Sequence, residues 1–290
     1  MFVARLKSTL KPVVRSVRRR RARPAAERLA RHAHPQVAAI GAALLDVLGD
    51  GADDGVRRTF GRIEARRAAL LASTDEIEMV DFGAGRSSDS RTDDEMAAGV
   101  VCRRPVARIA GVSKSAFWAR FLHHLVHRLG PASGVELGTC VGISAAYQAA
   151  ALDRNERGTL RTLEGSPAIA DLARETLREL GCGRADVVTG PFLATLDGVL
   201  AAAAPLDYMF NDGHHDHDAV LQYFAQTLPH LADSAVIAFD DISWSAGMRR
   251  AWEEVAAHPR VLAAIDLHTI GLTVVTAEPA PEKLRATIPL

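Results

Sequence analysis

The segment Glu136-Leu137-Gly138-Thr139-Cys140-Val141-Gly142 decides the fold, because a short apolar run meets a helical pattern at a glycine turn. Glycine at positions 138 and 142 lets the backbone approach a ligand closely, where a Cβ atom would clash. The spacing is G-x-x-x-G and differs from the G-x-G-x-x-G pattern that holds a dinucleotide pyrophosphate. A carboxylate at Glu136 would repel a pyrophosphate and suits a cationic or amine-bearing ligand. The segment predicts a strand, a turn and a helix, with a ligand site at the turn.

Short apolar runs alternate with helical patterns on the carboxyl-terminal side of this turn. Alternating strands and helices predict a mostly parallel sheet with helices on both faces. After a first helix that ends at residue 151, we predict strands over 160–164, 186–189, 206–211 and 235–240, helices over 167–180, 193–203, 218–231 and 247–257, and a terminal strand pair over 263–269 and 272–276.

The chain upstream of the turn is helical with one polar interruption. Apolar residues recur at helical spacing over 37–48 and 56–72, and a further helix is predicted over 114–129. The stretch 86–95 is polar and predicts a loop. We therefore divide the chain into a basic arm (1–35), a helical cap with a polar loop (36–112), a main α/β domain (113–280) and a tail (281–290).

The charge is distributed unevenly, although the formal net charge is zero. Residues 1–35 carry a net charge of +10 and the rest of the chain carries −10. A basic arm on an acidic body indicates contact with something anionic: a membrane surface, nucleic acid or the body itself. The alternative interpretation is a solvated helix. The arginines at 18–21 are not followed by the apolar segment that an export signal requires.

The composition excludes several classes of protein. Hydrophobic residues make up 48% and charged residues 24%, which is ordinary for a globular protein and argues against disorder or a fibrous repeat. No apolar run approaches the ~20 residues needed to cross a bilayer. Three cysteines are too few and too scattered for a disulfide framework or a Cys-rich zinc site. We therefore expect a cytoplasmic protein without a membrane span.

A second carboxylate ends the next predicted strand. Glu164 follows Gly142 by 22 residues, where a carboxylate accepts hydrogen bonds from the two ribose hydroxyls of an adenosine. A glycine alone is more often an ordinary turn residue than a ligand contact. Together, Glu136, Gly138, Gly142 and Glu164 favour an adenosine-bearing ligand at the carboxyl ends of the strands. An NAD-dependent enzyme is an alternative, and the missing G-x-G-x-x-G pattern argues against it.

With these residues the chain resembles the class I, Rossmann-like S-adenosylmethionine-dependent methyltransferases over residues 110–277, and more weakly upstream. The resemblance implies an α/β fold: a doubly wound, mostly parallel seven-stranded sheet with an antiparallel last strand, preceded by N-terminal helices. It also implies S-adenosyl-L-methionine as cofactor. Many relatives carry an acid near Phe192 that reads the adenine amino group, and we expect the Phe192 ring to pack on adenine instead. The residues expected to bind the cofactor are Glu136, Gly138, Thr139, Gly142, Ser144, Glu164, Gly165, Phe192, Asp212, Ser113 and Lys114.

Three aspartates follow two strands that are neighbours in the family's strand order, Asp212 after the fourth and Asp240 and Asp241 after the fifth. Neighbouring strands lie about 4.8 Å apart, so these carboxylates would repel one another unless a cation neutralised them. The pattern resembles the metal-dependent O-methyltransferases. This resemblance implies that the three aspartates bind Mg²⁺ or another divalent cation, a hard ion that prefers oxygen ligands. The alternative is that they cap helices or accept hydrogen bonds from loop amides.

Two histidines follow the first of these aspartates. Neutral imidazole is a suitable general base near pH 7. In antibiotic sugar O-methyltransferases a base lies two or three residues beyond the first metal-binding acid, and this resemblance points to His215 or His214 as the catalytic base. The alternatives are ordinary surface histidines or additional ligands of a softer metal.

The sequence therefore predicts an enzyme that transfers a methyl group from S-adenosylmethionine to a small-molecule hydroxyl, with divalent metal assistance. A metal-independent N- or carboxyl-methyltransferase is the nearest alternative. An RNA methyltransferase or another nucleic-acid-binding protein using the basic arm belongs to a different class. An aromatic content of 5% argues against that class, because such proteins stack bases on aromatic rings. The N-terminal helices offer a surface for a homodimer.

Overall fold

The computed structural model describes residues 21–49, 51–82 and 98–290. Most of the predicted basic arm and the whole predicted polar loop at 86–95 lie outside these ranges. Within them, no helix combines the length and the apolar character that crossing a membrane requires.

Three helices open the described chain. Helix α1 covers 21–30, α2 covers Pro35–Gly49 and α3 covers Asp54–Leu71. Asp53 caps α3, since its carboxylate accepts a 2.9 Å hydrogen bond from the Val56 amide. The apolar face of α2 is buried against the rest of the same chain. The predicted homodimer through these helices therefore stays a prediction.

A two-stranded ribbon and two helices connect this region to the main domain. Strands β1 (Glu76–Asp81) and β2 (Val100–Pro105) pair antiparallel. The short helix α4 (Val106–Ala110) follows directly, and α5 (Ala116–Leu129) confirms the helix predicted over 114–129.

The main domain alternates strands and helices along the chain, as the sequence predicts. In chain order its elements are β3 (Ser133–Leu137), α6 (Ile143–Arg154), β4 (Thr159–Glu164), α7 (Pro167–Leu180), β5 (Ala185–Thr189), α8 (Phe192–Ala203), β6 (Leu206–Asn211), α9 (His217–Thr227), a 3₁₀ turn (Leu228–His230), β7 (Leu231–Phe239), α10 (Ala246–Ala257), β8 (Val261–Asp266), β9 (Gly271–Thr276) and β10 (Leu284–Thr287).

These eight strands form one sheet in the order β10-β8-β9-β7-β6-β3-β4-β5. Strands β3 to β7 run parallel, β9 is antiparallel to both of its neighbours, and β10 runs parallel to β8. The predicted doubly wound, Rossmann-like α/β fold with N-terminal helices is confirmed. The sheet has one strand more than expected, because part of the segment designated as a tail forms β10 at its edge.

Helices cover both faces of the sheet, so the core has two layers. Within β6, Tyr208 and Phe210 belong to the layer under α1–α3 and α5–α7, whereas Met209 belongs to the layer under α8–α10. Successive side chains of a strand point to opposite faces, and all three are buried. A strand covered on both sides reads as a continuous apolar run, which is why these strands were visible in the sequence.

Register aligns the carboxyl ends of the three central strands. Leu137 of β3 pairs with Asn211 of β6, which pairs with Phe239 of β7. The next residues continue the pairing, since Asp212 donates its amide to the Leu137 carbonyl (3.0 Å) and Asp240 to the Asn211 carbonyl (2.9 Å). The residues that leave each strand therefore emerge side by side at one edge of the sheet.

His123 of α5 is a buried histidine, and its environment holds it neutral. Its Nδ1 donates to the Tyr147 carbonyl (3.0 Å), and its ring packs edge-on against Phe60 with centroids 4.8 Å apart. Burial lowers the pKa of His123 to about 3, because an imidazolium would lose its hydration there.

We expect this histidine to make the protein acid-sensitive. In the unfolded chain its pKa is about 6.5, so the unfolded state takes up the proton first as the pH falls. Stability is full above about pH 6.5 and falls by up to about 1.4 kcal/mol per pH unit below it. In the His123→Gln variant, the glutamine side chain keeps a donor for the Tyr147 carbonyl but does not titrate. Urea unfolding at pH 7 and pH 5 should show a larger loss in the wild type than in the variant, and equal losses would contradict this reading.

Candidate functional site

The turn after β3 has a geometry that only glycine adopts without strain. Gly138 has φ +92°, and a Cβ there would lie 2.4 Å from the Asp212 carbonyl oxygen. Gly142, which precedes α6, has φ +84°, and a Cβ there would lie 3.1 Å from the Ala173 carbonyl oxygen. Positive φ and close backbone approach both select glycine. The turn therefore packs tightly against the residue that follows β6 and against α7.

A buried polar layer supports this turn from below. Glu136 is fully buried, and its carboxylate accepts hydrogen bonds of 2.6 Å each from Gln148 Nε2 and Thr162 Oγ1. Ser144 also hydrogen-bonds Glu136, and Thr139 shares a 2.6 Å hydrogen bond with Thr162. Burial raises the pKa of Glu136 to about 7. In the structure the side chains of Glu136, Thr139 and Ser144 are buried and hydrogen-bonded within the protein, and their contact with the cofactor stays a prediction.

Glu164 stands at the end of β4, beside the turn. One of its oxygens accepts a 2.9 Å hydrogen bond from the Cys140 amide, and the other accepts a 3.0 Å hydrogen bond from the Ser166 amide. Burial nevertheless raises the pKa of Glu164 to about 7. Each carboxylate oxygen has a second lone pair, so the group can accept two further hydrogen bonds from a ligand.

A cavity of about 160 Å³ adjoins Glu164. Its walls include Gly165, Phe192 and Gly213, together with Phe82 from the end of the ribbon. The Phe82 ring packs directly over Gly165, where any side chain would collide with it. The cavity therefore has aromatic and glycine walls, which suit a flat ring. The sequence indicated Phe192 but not Phe82, whose placement depends on the long-range position of the ribbon.

His214 is held by two hydrogen bonds. Its Nε2 lies 2.9 Å from the Phe82 carbonyl oxygen, and its Nδ1 lies 2.6 Å from the Tyr223 hydroxyl. A carbonyl only accepts, so Nε2 carries the proton and Nδ1 accepts from Tyr223. Burial lowers the pKa of His214. His214 is therefore a neutral side chain that connects the ribbon to α9, and both of its ring nitrogens form hydrogen bonds.

His215 faces the opposite way, toward the aspartates. Its Nε2 lies 3.9 Å from Asp212 Oδ1 and 4.0 Å from Asp241 Oδ2, and a third of its side chain is exposed. The Trp244 ring lies beside it, with ring centroids 6.3 Å apart. Of the two histidines predicted as base, His215 is the one that the structure places at the carboxylates and within reach of solvent.

Lys114 lies among the same aspartates. Its Nζ forms a short ion pair with Asp240 and lies 3.5 Å from Asp212. The side chain of Asp240 is completely buried and that of Lys114 nearly so. Burial raises the pKa of Asp212, while the Lys114 ammonium opposes that shift. Ser113, the residue before it, lies against Cys140 of the glycine turn. The 113–115 segment thus links the turn to the aspartates.

The aspartates do not form a cation site of the predicted kind. A Mg²⁺ ion needs its oxygen ligands at about 2.0–2.1 Å around one point, and Lys114 Nζ lies between Asp212 and Asp240. In the three described ranges, no group of three His, Cys, Asp or Glu side chains is arranged to hold a metal ion. The predicted binding of Mg²⁺ or another divalent cation by Asp212, Asp240 and Asp241 is therefore not confirmed.

Comparisons with known proteins find a matching domain family and structures of the same fold. Residues 135–242 match a protein family described as a methyltransferase domain. No curated protein sequence matches the chain. Among solved structures, the chain is similar to an O-methyltransferase from Bacillus cereus in complex with SAH, at 24% identity, covering 76% of this chain and 90% of that one with a TM-score of 0.52. It is also similar to cofactor-bound Rv0187 from MTB, at 21% identity, covering 86% and 100% with a TM-score of 0.55.

The structural matches and the family match support different conclusions. At these identities the solved structures show the shared fold, and the family match covers the segment that runs from the glycine turn to the aspartates. The sequence-based prediction of the enzyme class is confirmed. Residues 135–242 form a methyltransferase domain, and the chain shares its fold with solved structures that include an O-methyltransferase.

Proposed function

We propose that this enzyme methylates a hydroxyl group of a small molecule. One observation carries the proposal: strand register brings the start of the glycine turn, Asp212 and Asp240 to the same edge of the sheet, each one residue past a paired strand end, and His215 lies beside Asp212 there. The cofactor and a group able to remove a proton would then meet at one place, as methyl transfer to oxygen requires.

The cofactor residues have separate tasks in this proposal. The Gly138–Gly142 turn receives the amino-acid part, since it leads from the end of β3 into the N-terminus of α6. Glu164 accepts hydrogen bonds from the ribose hydroxyls. The cavity between Phe82, Gly165 and Phe192 receives the adenine ring. The bound cofactor supplies an electrophilic methyl group on a positively charged sulfur.

The acceptor side is formed by His215 and its exposed neighbours. His215 Nε2 takes the proton from the acceptor hydroxyl, and Asp212 and Asp241 stabilise the imidazolium that results. Trp244 is 70% exposed beside His215, and Val112 is 78% exposed two residues before Lys114. Apolar surface of this kind at a site edge favours an acceptor with an apolar body.

A divalent metal has no part in the proposed step, because Lys114 already lies between two of its expected ligands. The carboxyl-methylation alternative is disfavoured because a carboxylate acceptor would meet the carboxylates of Asp212 and Asp241, and N-methylation is distinguished by the acceptor panel below. The RNA alternative depends on residues 1–35, most of which lie outside the described ranges.

Calorimetric titration with S-adenosylhomocysteine tests the cofactor half of the proposal. Hydrogen bonds from ribose hydroxyls favour the charged form of Glu164, whose pKa in the free protein is raised to about 7 by burial. Affinity should therefore increase from pH 6 to pH 8. In the Glu164→Gln variant the affinity should be lower and should depend less on pH over this range. Equal pH dependence in both proteins would remove Glu164 from the site.

The proposed hydroxyl acceptor is tested by measuring methyl transfer from labelled S-adenosylmethionine to panels of small phenols, alcohols, amines and carboxylic acids. The proposal expects product from hydroxyl acceptors. Transfer to amines or carboxylates alone would overturn it.

A further inference from the structure

The position of Lys114 supports an inference that rests on the proposed function and goes beyond it. Its Nζ pairs with Asp240 and lies 3.5 Å from Asp212, so one ammonium bridges the ends of two neighbouring strands. These two carboxylates come together through the register of β6 and β7. Burying them together requires a cation. The chain supplies that cation from the segment between α4 and α5, outside the sheet.

Two unused groups next to this ion pair point to a ligand. An ammonium has three N–H donors, and Asp212 and Asp240 account for two of them among the described residues. The second oxygen of Asp240, Oδ1, is buried and has no hydrogen-bond partner within the described part of the chain. A buried polar atom without a partner marks a place for a water or ligand group. The free donor of Lys114 fits the oxygen of an acceptor hydroxyl, and Asp240 Oδ1 fits a second donor on the same molecule or a bridging water.

We propose that the Lys114 ammonium takes the place of the divalent metal and binds the acceptor oxygen directly. His215 Nε2 takes the hydroxyl proton, and the oxygen forms its bond to the methyl carbon as the carbon–sulfur bond breaks, with that electron pair remaining on sulfur. Lys114 donates a hydrogen bond to the oxygen while negative charge develops on it. A fixed cation at this point stabilises the transition state more than the neutral ground state. Methyl transfer by this enzyme is therefore independent of divalent metal.

The first test measures metal binding and needs no acceptor. Mn²⁺ is titrated into the full-length wild-type protein, with and without S-adenosylhomocysteine, and free Mn²⁺ is followed by electron paramagnetic resonance. We expect no stoichiometric binding below millimolar Mn²⁺. One equivalent bound at micromolar Mn²⁺, and lost in the Asp240→Asn variant, would overturn the proposal whether or not an acceptor is known.

The second test compares lysine variants in the methyl-transfer assay with EDTA present. Lys114→Met removes the charge and keeps a similar length, and kcat should fall at least 100-fold while the S-adenosylhomocysteine affinity stays within threefold. Lys114→Arg should recover part of the activity. Lys283→Met is the matched control, because Lys283 donates to the Ala257 and His258 carbonyls at the end of α10, and it should retain full activity.

The outcomes separate the two proposals. Loss of wild-type activity in EDTA, or full activity of Lys114→Met, would overturn the role of Lys114 and leave hydroxyl methylation standing. Absence of hydroxyl methylation with any acceptor would overturn the proposed function, and the Mn²⁺ titration would still decide whether lysine replaces the metal.

Discussion

Gly138→Ala should weaken S-adenosylhomocysteine binding by at least about 100-fold, which corresponds to about 2.8 kcal/mol. The added Cβ would lie 2.4 Å from the Asp212 carbonyl oxygen, a distance at which the backbone of the turn or of β6 must move. The residue also has φ +92°, a conformation that costs a side-chain-bearing residue about 1–2 kcal/mol. Both effects displace the surface on which we place the cofactor.

A control variant separates binding from folding in this experiment. Gly61 lies inside α3, and a Cβ there would meet no atom within 4 Å. Gly61→Ala should keep full affinity and gain about 0.5–1 kcal/mol in the free energy of unfolding, as a helical glycine-to-alanine change does. Circular dichroism establishes the folded fraction of each protein before the calorimetric titration. An affinity of folded Gly138→Ala within threefold of the wild type would contradict the assigned cofactor surface.

His215→Asn should reduce kcat by about 10²–10⁴-fold, the range that a positioned general base contributes. Asparagine keeps a polar side chain beside Asp212 but cannot take a proton near neutral pH. Because His215 lies on the acceptor side, S-adenosylhomocysteine affinity should stay within threefold. Initial rates at saturating cofactor, together with calorimetric titration, measure the two quantities separately.

His217 provides the matched control, since it belongs to the same histidine-rich segment. Its ring pairs with Asp218 and Glu254 on the helices α9 and α10 instead of with the aspartates at the sheet edge. His217→Asn should therefore retain wild-type kcat. If both variants retained wild-type kcat, proton removal would have to be assigned to another group.

The order of strands and helices in the main domain could be predicted from the local pattern of apolar residues. The main-domain strands are buried on both faces and read as short apolar runs, as in β6, where Tyr208, Met209 and Phe210 are all buried. Three strands, β1, β2 and β10, were not predicted. The ribbon strand β2 carries charged residues, including Arg103 and Arg104, and β10 has only four residues, half of them exposed. These strands form because a partner strand elsewhere in the chain offers hydrogen bonds, which no local pattern records.

The residues of the candidate site could also be predicted in part from the sequence. Glycine at 138 and 142, and acids at 164, 212 and 240, stand at strand ends in the sequence, and parallel strands bring their carboxyl ends to one edge. The expectation that Glu136 faces the ligand required a side-chain direction, and the structure turns it inward to Gln148 and Thr162.

The sequence by itself determined the fold class and predicted the ligand-binding edge and the class of cofactor, because each depends on residue types at the ends of apolar runs. Only the tertiary structure decided which histidine meets the carboxylates and which cation neutralises them. His214 and His215 are adjacent in sequence yet point to Tyr223 and to Asp212. Lys114 reaches Asp240 across 126 positions of chain. Such contacts depend on side-chain direction and on distant segments packing together, and neither follows from local periodicity.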